Sequence, residues 1–191
     1  LTEFKALNFK SNQKTLVSQA DDGTQFTRQV DGQKFSLTLS FPLKSRTQIN
    51  PLIAFIMKQR SRKETFTITL PEYIGSAKGS VAGSPTGTAS AGATSITLGG
   101  TRSGSLLAGD LIKFASHNKI YMVVTDNSDI SSGTLTIEPP LKETISGSAI
   151  TFDSVPITVR LTNDMQEFAS NSNNKDGELL FNYELDVVEA I

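Results

Sequence analysis

The sequence has no cysteine, no tryptophan, a single histidine and few aromatic residues. Without cysteine there is neither a disulfide framework nor thiolate chemistry, a composition that fits folding in a reducing cytosol. One histidine and no cysteine do not supply a zinc set of the usual ligands, and a nucleophilic triad has only His117 to draw on as base. Neither sign of charge is in excess, with eighteen Lys and Arg against nineteen Asp and Glu. No global field therefore marks nucleic acid or a membrane as partner. The longest apolar run, Leu52–Met57, falls far short of the roughly 20 residues of a membrane helix. No signal-peptide pattern is visible.

What is present is alternation. In Lys34–Phe41 the residues Phe35, Leu37, Leu39 and Phe41 alternate with Lys34, Ser36, Thr38 and Ser40, which predicts a strand with one dry face and one wet face. Pro42 ends it. Asn50-Pro51 reads as an N-cap and first-turn proline, opening a helix that buries Leu52, Ile53, Phe55, Ile56 and Met57. Phe66, Ile68 and Leu70 alternate with Thr65, Thr67 and Thr69 in a second strand. One helix over a sheet would bury all three apolar sets. Upstream, Lys14–Ala20 and Gln25–Val30 flank Asp22-Gly23, so residues 3–41 read as an antiparallel meander.

Gly75–Gly104 is rich in Gly, Ser, Ala and Thr and reads as a linker or long surface loop holding at least one strand, Thr94–Leu98. Strands are expected at Asp110–Phe114, Lys119–Thr125, Gly133–Pro139 and Ala149–Phe152, with one helical turn at Leu141–Ile145. Short strands at that spacing indicate a small β-barrel. Ile157, Val159 and Leu161 then restore the earlier alternation. Ala169–Asp176 reads as a polar loop, and Glu178–Val188 as one long closing strand with Leu179, Phe181, Tyr183, Leu185 and Val187 on one face. The first 75 residues lack strands enough to cover their own helix. The expected fold is therefore mainly β with one principal helix: a discontinuous domain of residues 1–75 and 154–191, interrupted by an all-β insert at 76–153 whose ends meet.

Charge is unevenly placed. Residues 1–75 hold eleven Lys and Arg against six Asp and Glu, and residues 154–191 hold two against seven. Lys58, Arg60, Arg62 and Lys63 on one side, Glu184 and Asp186 on the other, are candidate subunit-interface charges. The basic group also suits a helix C-terminus, where cations meet the negative dipole end. His117, between Ser116 and Asn118, reads as a turn residue. Asp126-Asn127-Ser128-Asp129 lacks the glycine and glutamate of a calcium loop, and no Gly-Lys-Ser/Thr follows the glycine-rich stretch, so it is no phosphate loop. Phe114, Tyr121 and Phe152 are the only aromatics of the insert, a thin platform for nucleic-acid stacking. This inventory disfavours an enzyme.

Gly109-Asp110-Leu111-Ile112-Lys113-Phe114, followed by Ser116-His117-Asn118-Lys119-Ile120-Tyr121, resembles the distal tail proteins (Dit) of long-tailed bacteriophages, in the variety whose insert is an oligonucleotide/oligosaccharide-binding (OB) type barrel. Thr69-Leu70-Pro71-Glu72-Tyr73 and Arg160-Leu161-Thr162-Asn163-Asp164 fit the same pattern, which covers most of the chain from about Phe35 onward. The resemblance implies a tail-tube-like β-sandwich or barrel core, a non-enzymatic virion protein without cofactors, and a ring, usually hexameric, at the lower end of the tail tube. Its implied partners are further copies of itself, the tube protein, and hub and fibre or receptor-binding proteins. Double-stranded DNA would only pass through, and the protein would be made in the host cytoplasm. Strands wet on one face and aliphatic on the other suit a channel wall, so Ser36, Thr38, Ser40, Thr65, Thr67 and Thr69 are candidate channel-facing residues. Two rival expectations are a carbohydrate-binding module contacting the host surface through the insert, and a single-strand nucleic-acid binder.

Overall fold

A computed structural model describes residues 5–131, 133–173 and 177–191. The chain forms two compact units, one of Thr67–Thr158 with Ala190–Ile191, the other of Glu3–Phe66 with Val159–Glu189. Four strands open it: β1 (Ala6–Asn12), β2 (Thr15–Gln19), β3 (Gln25–Gln29) and β4 (Lys34–Ser40). They do not form a simple meander. β2 and β3 pair only with each other, through a tight turn at Asp22-Gly23, while β1 skips over them to pair with β4. β4 alternates as its sequence dictates, with Phe35, Leu37 and Leu39 sealed and Ser36, Thr38 and Ser40 half-exposed.

After the short β5 (Lys44–Ser45), helix α1 spans Arg46–Lys58, starting well before Asn50-Pro51. The cap is Ser45, whose backbone N–H donates to the Gln48 side chain at 3.2 Å, satisfying a donor that the first turn leaves orphaned. Pro51 is thus inside the helix, and the buried stripe is Ile49, Leu52 and Ile56, the i, i+3, i+7 set of a helix dry on one side. Met57 points to solvent, and Phe55 lies half-buried edge-on to Phe66 at 5.2 Å. β6 (Phe66–Thr69) and the four-residue α2 (Glu72–Gly75) follow.

Gly75–Gly104 is no linker. It holds β7 (Ala82–Ala89) and β8 (Ser95–Ser103), paired from Ala82↔Ser103 to Thr88↔Thr97. With β9 (Leu111–Phe114), β10 (Ile120–Val123), β11 (Thr134–Glu138) and β12 (Ile145–Thr151) they close a barrel in the order β10-β11-β8-β7-β12-β9, every pairing antiparallel. The OB type has five strands; this barrel closes with six. Closure leaves no edge strand. Its interior holds Ile96, Ile112, Phe114, Tyr121, Val123 and Ile137 among others. Gly87 sits where a Cβ would come within 2.7 Å of the Phe114 ring and 2.9 Å of Ile96. The small residues of this stretch thus let strands approach the core. No helical turn forms at Leu141–Ile145, because Ile145 already begins β12. The chain leading in and the chain leading out are tied together: Ala77 N–H donates to Phe152 O at 2.8 Å and Val155 N–H to Gly75 O at 2.9 Å.

The return segment supplies β13 (Pro156–Leu161), β14 (Ala169–Asn173), β15 (Leu179–Asn182) and β16 (Glu184–Glu189). The expected polar loop is therefore a strand over Ala169–Asn173, paired with β15, because polar side chains do not prevent a backbone ladder at a sheet edge. Residues 174–176 lie outside the described residues. The closing strand is two strands, broken at Tyr183. Its buried ring stacks on Phe41 and Phe168, at 6.1 and 4.8 Å between centroids, and its hydroxyl donates to Gln166 at 2.7 Å. β15 joins β14 and β5, whereas β16 lies between β4 and β13 in a sheet ordered β1-β4-β16-β13-β6.

Candidate functional site

The pairing of β1, β4, β16 and β13 assembles a polar face that no single stretch of sequence displays. Residues directly opposite in antiparallel strands share a face. Ala6, Ser40 and Glu184 make one cross-strand row; Asn8, Thr38 and Asp186 the next; Lys10, Ser36, Val188 and Arg160 the third. Thr38 donates its hydroxyl to Asp186 at 2.6 Å and Ser40 donates to Glu184 at 2.9 Å, charge-assisted bonds that hold both carboxylates upright on the sheet. Leu37, Leu39, Leu185, Val187, Val159 and Leu161 are buried on the opposite side. Glu184 and Asp186 thus belong with Ser36, Thr38 and Ser40 at the sheet centre. The acids occupy one end of the face and Lys10 and Arg160 the other. Lys10, Asn8 and Arg160 escaped the sequence reading because only long-range register puts them there. Thr67 and Thr69 of β6 and Thr65 just before it are exposed, while Ile68 of β6 and Leu70 just after it are buried.

The basic group lies at and just beyond the end of α1. Lys58 is in its last turn, and Arg60 and Ser61 both take left-handed backbone angles, φ 52° and 59°, to reverse the chain. Arg62 faces Asp164 at 3.8 Å, and Ser61 donates its hydroxyl to the Asp164 carbonyl at 3.2 Å. Both ions are well exposed, so the pair adds little stability. Acid from the return segment meets this turn within one chain, and the acid is Asp164. A groove of about 570 Å³ lined by Met57, Lys58, Arg60, Glu64 and Phe66 runs beside it.

In the barrel, His117 is more than a turn residue. Its Nε2 lies 2.7 Å from the Tyr121 hydroxyl and its Nδ1 lies 3.1 Å from Ser116 Oγ. Burial, the largest influence, holds the imidazole below its ordinary value; Lys142 and Lys113 act the same way and Glu143 opposes them. The Asp126–Asp129 segment spends its side chains on backbone amides: Asp126 accepts from Ala108 at 2.8 Å, Asn127 from Asp129 at 3.2 Å and Asp129 from Ser131 at 2.9 Å. Hydrogen bonds from Ser131 hold the Asp129 carboxyl below the usual range. Among the described residues no cluster of three or more His, Asp and Glu could hold a metal. Phe114 and Tyr121 are sealed inside the barrel and Phe152 packs half-buried against its core, so sugar or base stacking has no exposed ring on the barrel. No helix among the described residues is long and apolar enough to cross a membrane. No protein-family model and no curated protein matches the sequence.

Proposed function

We propose that the chain is a structural ring subunit of a phage tail, a distal tail protein joining the tube to hub and fibre or receptor-binding proteins, with no catalytic role. The observation that carries this reading is the three-row polar face on β1, β4, β16 and β13, backed by a buried inner side that is apolar apart from Glu189. Such a face suits the wall of a water-filled channel, where the short hydroxyls and fixed carboxylates of its first two rows give a passing polyanion nothing to grip and the cations Lys10 and Arg160 are confined to the third row. The candidate channel-facing set becomes Ser36, Thr38, Ser40, Glu184 and Asp186, with Thr67 and Thr69 of β6 and Thr65 just before it in the same role. Subunit contact is supported by the β2–β3 hairpin, which is exposed throughout and carries Leu16, Val17 and Phe26 at 50, 57 and 61% exposure. An isolated two-stranded hairpin is marginal in water, and a neighbouring copy seated on its Leu16 and Phe26 face would secure it. Lys58, Arg60 and Lys63 are offered to that neighbour as well. The barrel takes the place of the OB-type insert.

Because the chain lacks cysteine, Thr38→Cys supplies a unique thiol. In negative-stain images the purified protein should form closed rings. Within them, a small maleimide should label position 38 while a maleimide too bulky for the lumen should not. A monomer at all concentrations, or equal labelling by both reagents in intact rings, would defeat the proposal.

A further inference from the structure

The barrel contains a hydrogen-bond chain anchored at its far end by a backbone amide. The backbone N–H of Lys142, in the connection from β11 to β12, donates to the Tyr121 hydroxyl oxygen at 3.0 Å. In the wiring proposed below, the phenol directs its own proton to His117 Nε2, 2.7 Å away. That wiring makes Nε2 the bare nitrogen and puts the imidazole proton on Nδ1, directed at Ser116 Oγ 3.1 Å away. Ser148 of β12 donates its hydroxyl to the same Ser116 oxygen at 3.2 Å, and its Oγ accepts the Ser116 backbone N–H at 3.2 Å. In this wiring His117 gives a proton toward Ser116 and takes none from it, so the pair is no activated nucleophile. It is a clasp, fastening the 115–118 turn to β10, to β12 and to the β11–β12 connection.

We propose that His117, Tyr121 and the Lys142 amide form a pH-sensitive latch, closed while the imidazole is neutral and opened when it takes a second proton. Protonation turns Nε2 from acceptor into donor opposite an oxygen that already receives Lys142, and forces the phenol proton to rotate away. It also places a cation among Lys113 of β9 and Lys142 of the adjoining connection, with Glu143 alone in opposition. The closed turn thus favours the neutral ring, consistent with the lowered imidazole value. The open turn binds the extra proton, so opening gains as pH falls through and below the ordinary imidazole range. Opening would widen the cavity of about 360 Å³ that Lys113, Ser116, His117, Asn118 and Thr151 line.

The single histidine makes the test direct, since its NMR signals need no assignment. On the full chain, ¹⁵N-resolved imidazole spectra at neutral pH should show the Nδ1–H tautomer. Hydrogen exchange at the 115–118 amides, corrected for intrinsic pH dependence, should rise as pH drops from 7 toward 5, by at most about tenfold per pH unit for one linked proton. His117→Gln should abolish that dependence, and Tyr121→Phe should give fast, pH-flat exchange already at pH 7. An Nε2–H tautomer, a flat wild-type profile, or the same slope in His117→Gln would overturn the latch. Should Tyr121→Phe fail to fold, the His117→Gln comparison decides alone.

Discussion

Ile49 is sealed on the inner side of α1, whereas Met57, little more than two turns later, is 67% exposed. Truncating a packed aliphatic side chain loses both transfer energy and cavity contacts. Ile49→Ala should therefore cost about 2–5 kcal/mol and Met57→Ala under about 0.5 kcal/mol, read by urea denaturation. Equal costs would mean the stripe has been assigned to the wrong side. At Gly87 the opposite error is available. A methyl there meets Phe114 and Ile96 inside contact distance, so Gly87→Ala should destabilise the barrel by about 1–3 kcal/mol through overpacking. At this scale the dry residues of β4 and β6 were legible, because alternation needs no partner to be seen. Ile49 was not, since Pro51 marks a plausible helix start and hides the turn before it. Nor was His117 legible as a clasp: Tyr121 is four residues away, but the Lys142 amide bonded to that phenol lies twenty-one residues beyond Tyr121.

At the scale of elements, what the chain says locally and what it does globally part company at hairpins and breaks. The glycine and serine of Gly75–Gly104 suggest flexibility, yet β7 and β8 are ordered by ladders whose partners include β11 and β12. Alternation through Tyr183 is unbroken in sequence, and only the long-range stacking of its ring on Phe41 and Phe168, together with the different sheets that β15 and β16 join, marks the division there. The β2–β3 hairpin is the converse case, legible as a hairpin but not as an excursion. Its base is closed by Val30 N–H donating to Lys14 O at 2.8 Å, so replacing Thr15–Gln29 with a short Gly-containing turn joins ends that already meet. All ten residues of its two strands are exposed. The excised protein should keep its thermal midpoint within a few degrees while losing rings in negative-stain images. A midpoint that collapses would make the hairpin part of the core; rings that persist would remove it from the interface.

At the scale of the whole molecule, the decisive pairing is between residues about 150 positions apart. β16 lies between β4 and β13, with Leu185↔Leu39 and Val187↔Leu37 in register, and Glu189, fully buried, accepts the Phe35 N–H at 3.1 Å. Removing residues 178–191 would withdraw a central strand, leave β4 bonded on one side only, and expose the aliphatic row that β16 covers. An unpaired strand with an uncovered apolar face is an association site. The unit of Glu3–Phe66 and Val159–Glu189 should therefore unfold or aggregate in this truncation. The barrel has a closed ladder and its own core, and its ends are tied by Ala77 to Phe152. A fragment of residues 76–153 should consequently fold alone, giving dispersed amide NMR signals and one cooperative thermal transition. A soluble, dispersed spectrum from the truncated core, or a disordered one from the barrel fragment, would mean that the chain is not a discontinuous sheet with an autonomous barrel spliced into it. The ring proposal would fall with the first of these results, since the polar face exists only where β16 lies beside β4 on one sheet.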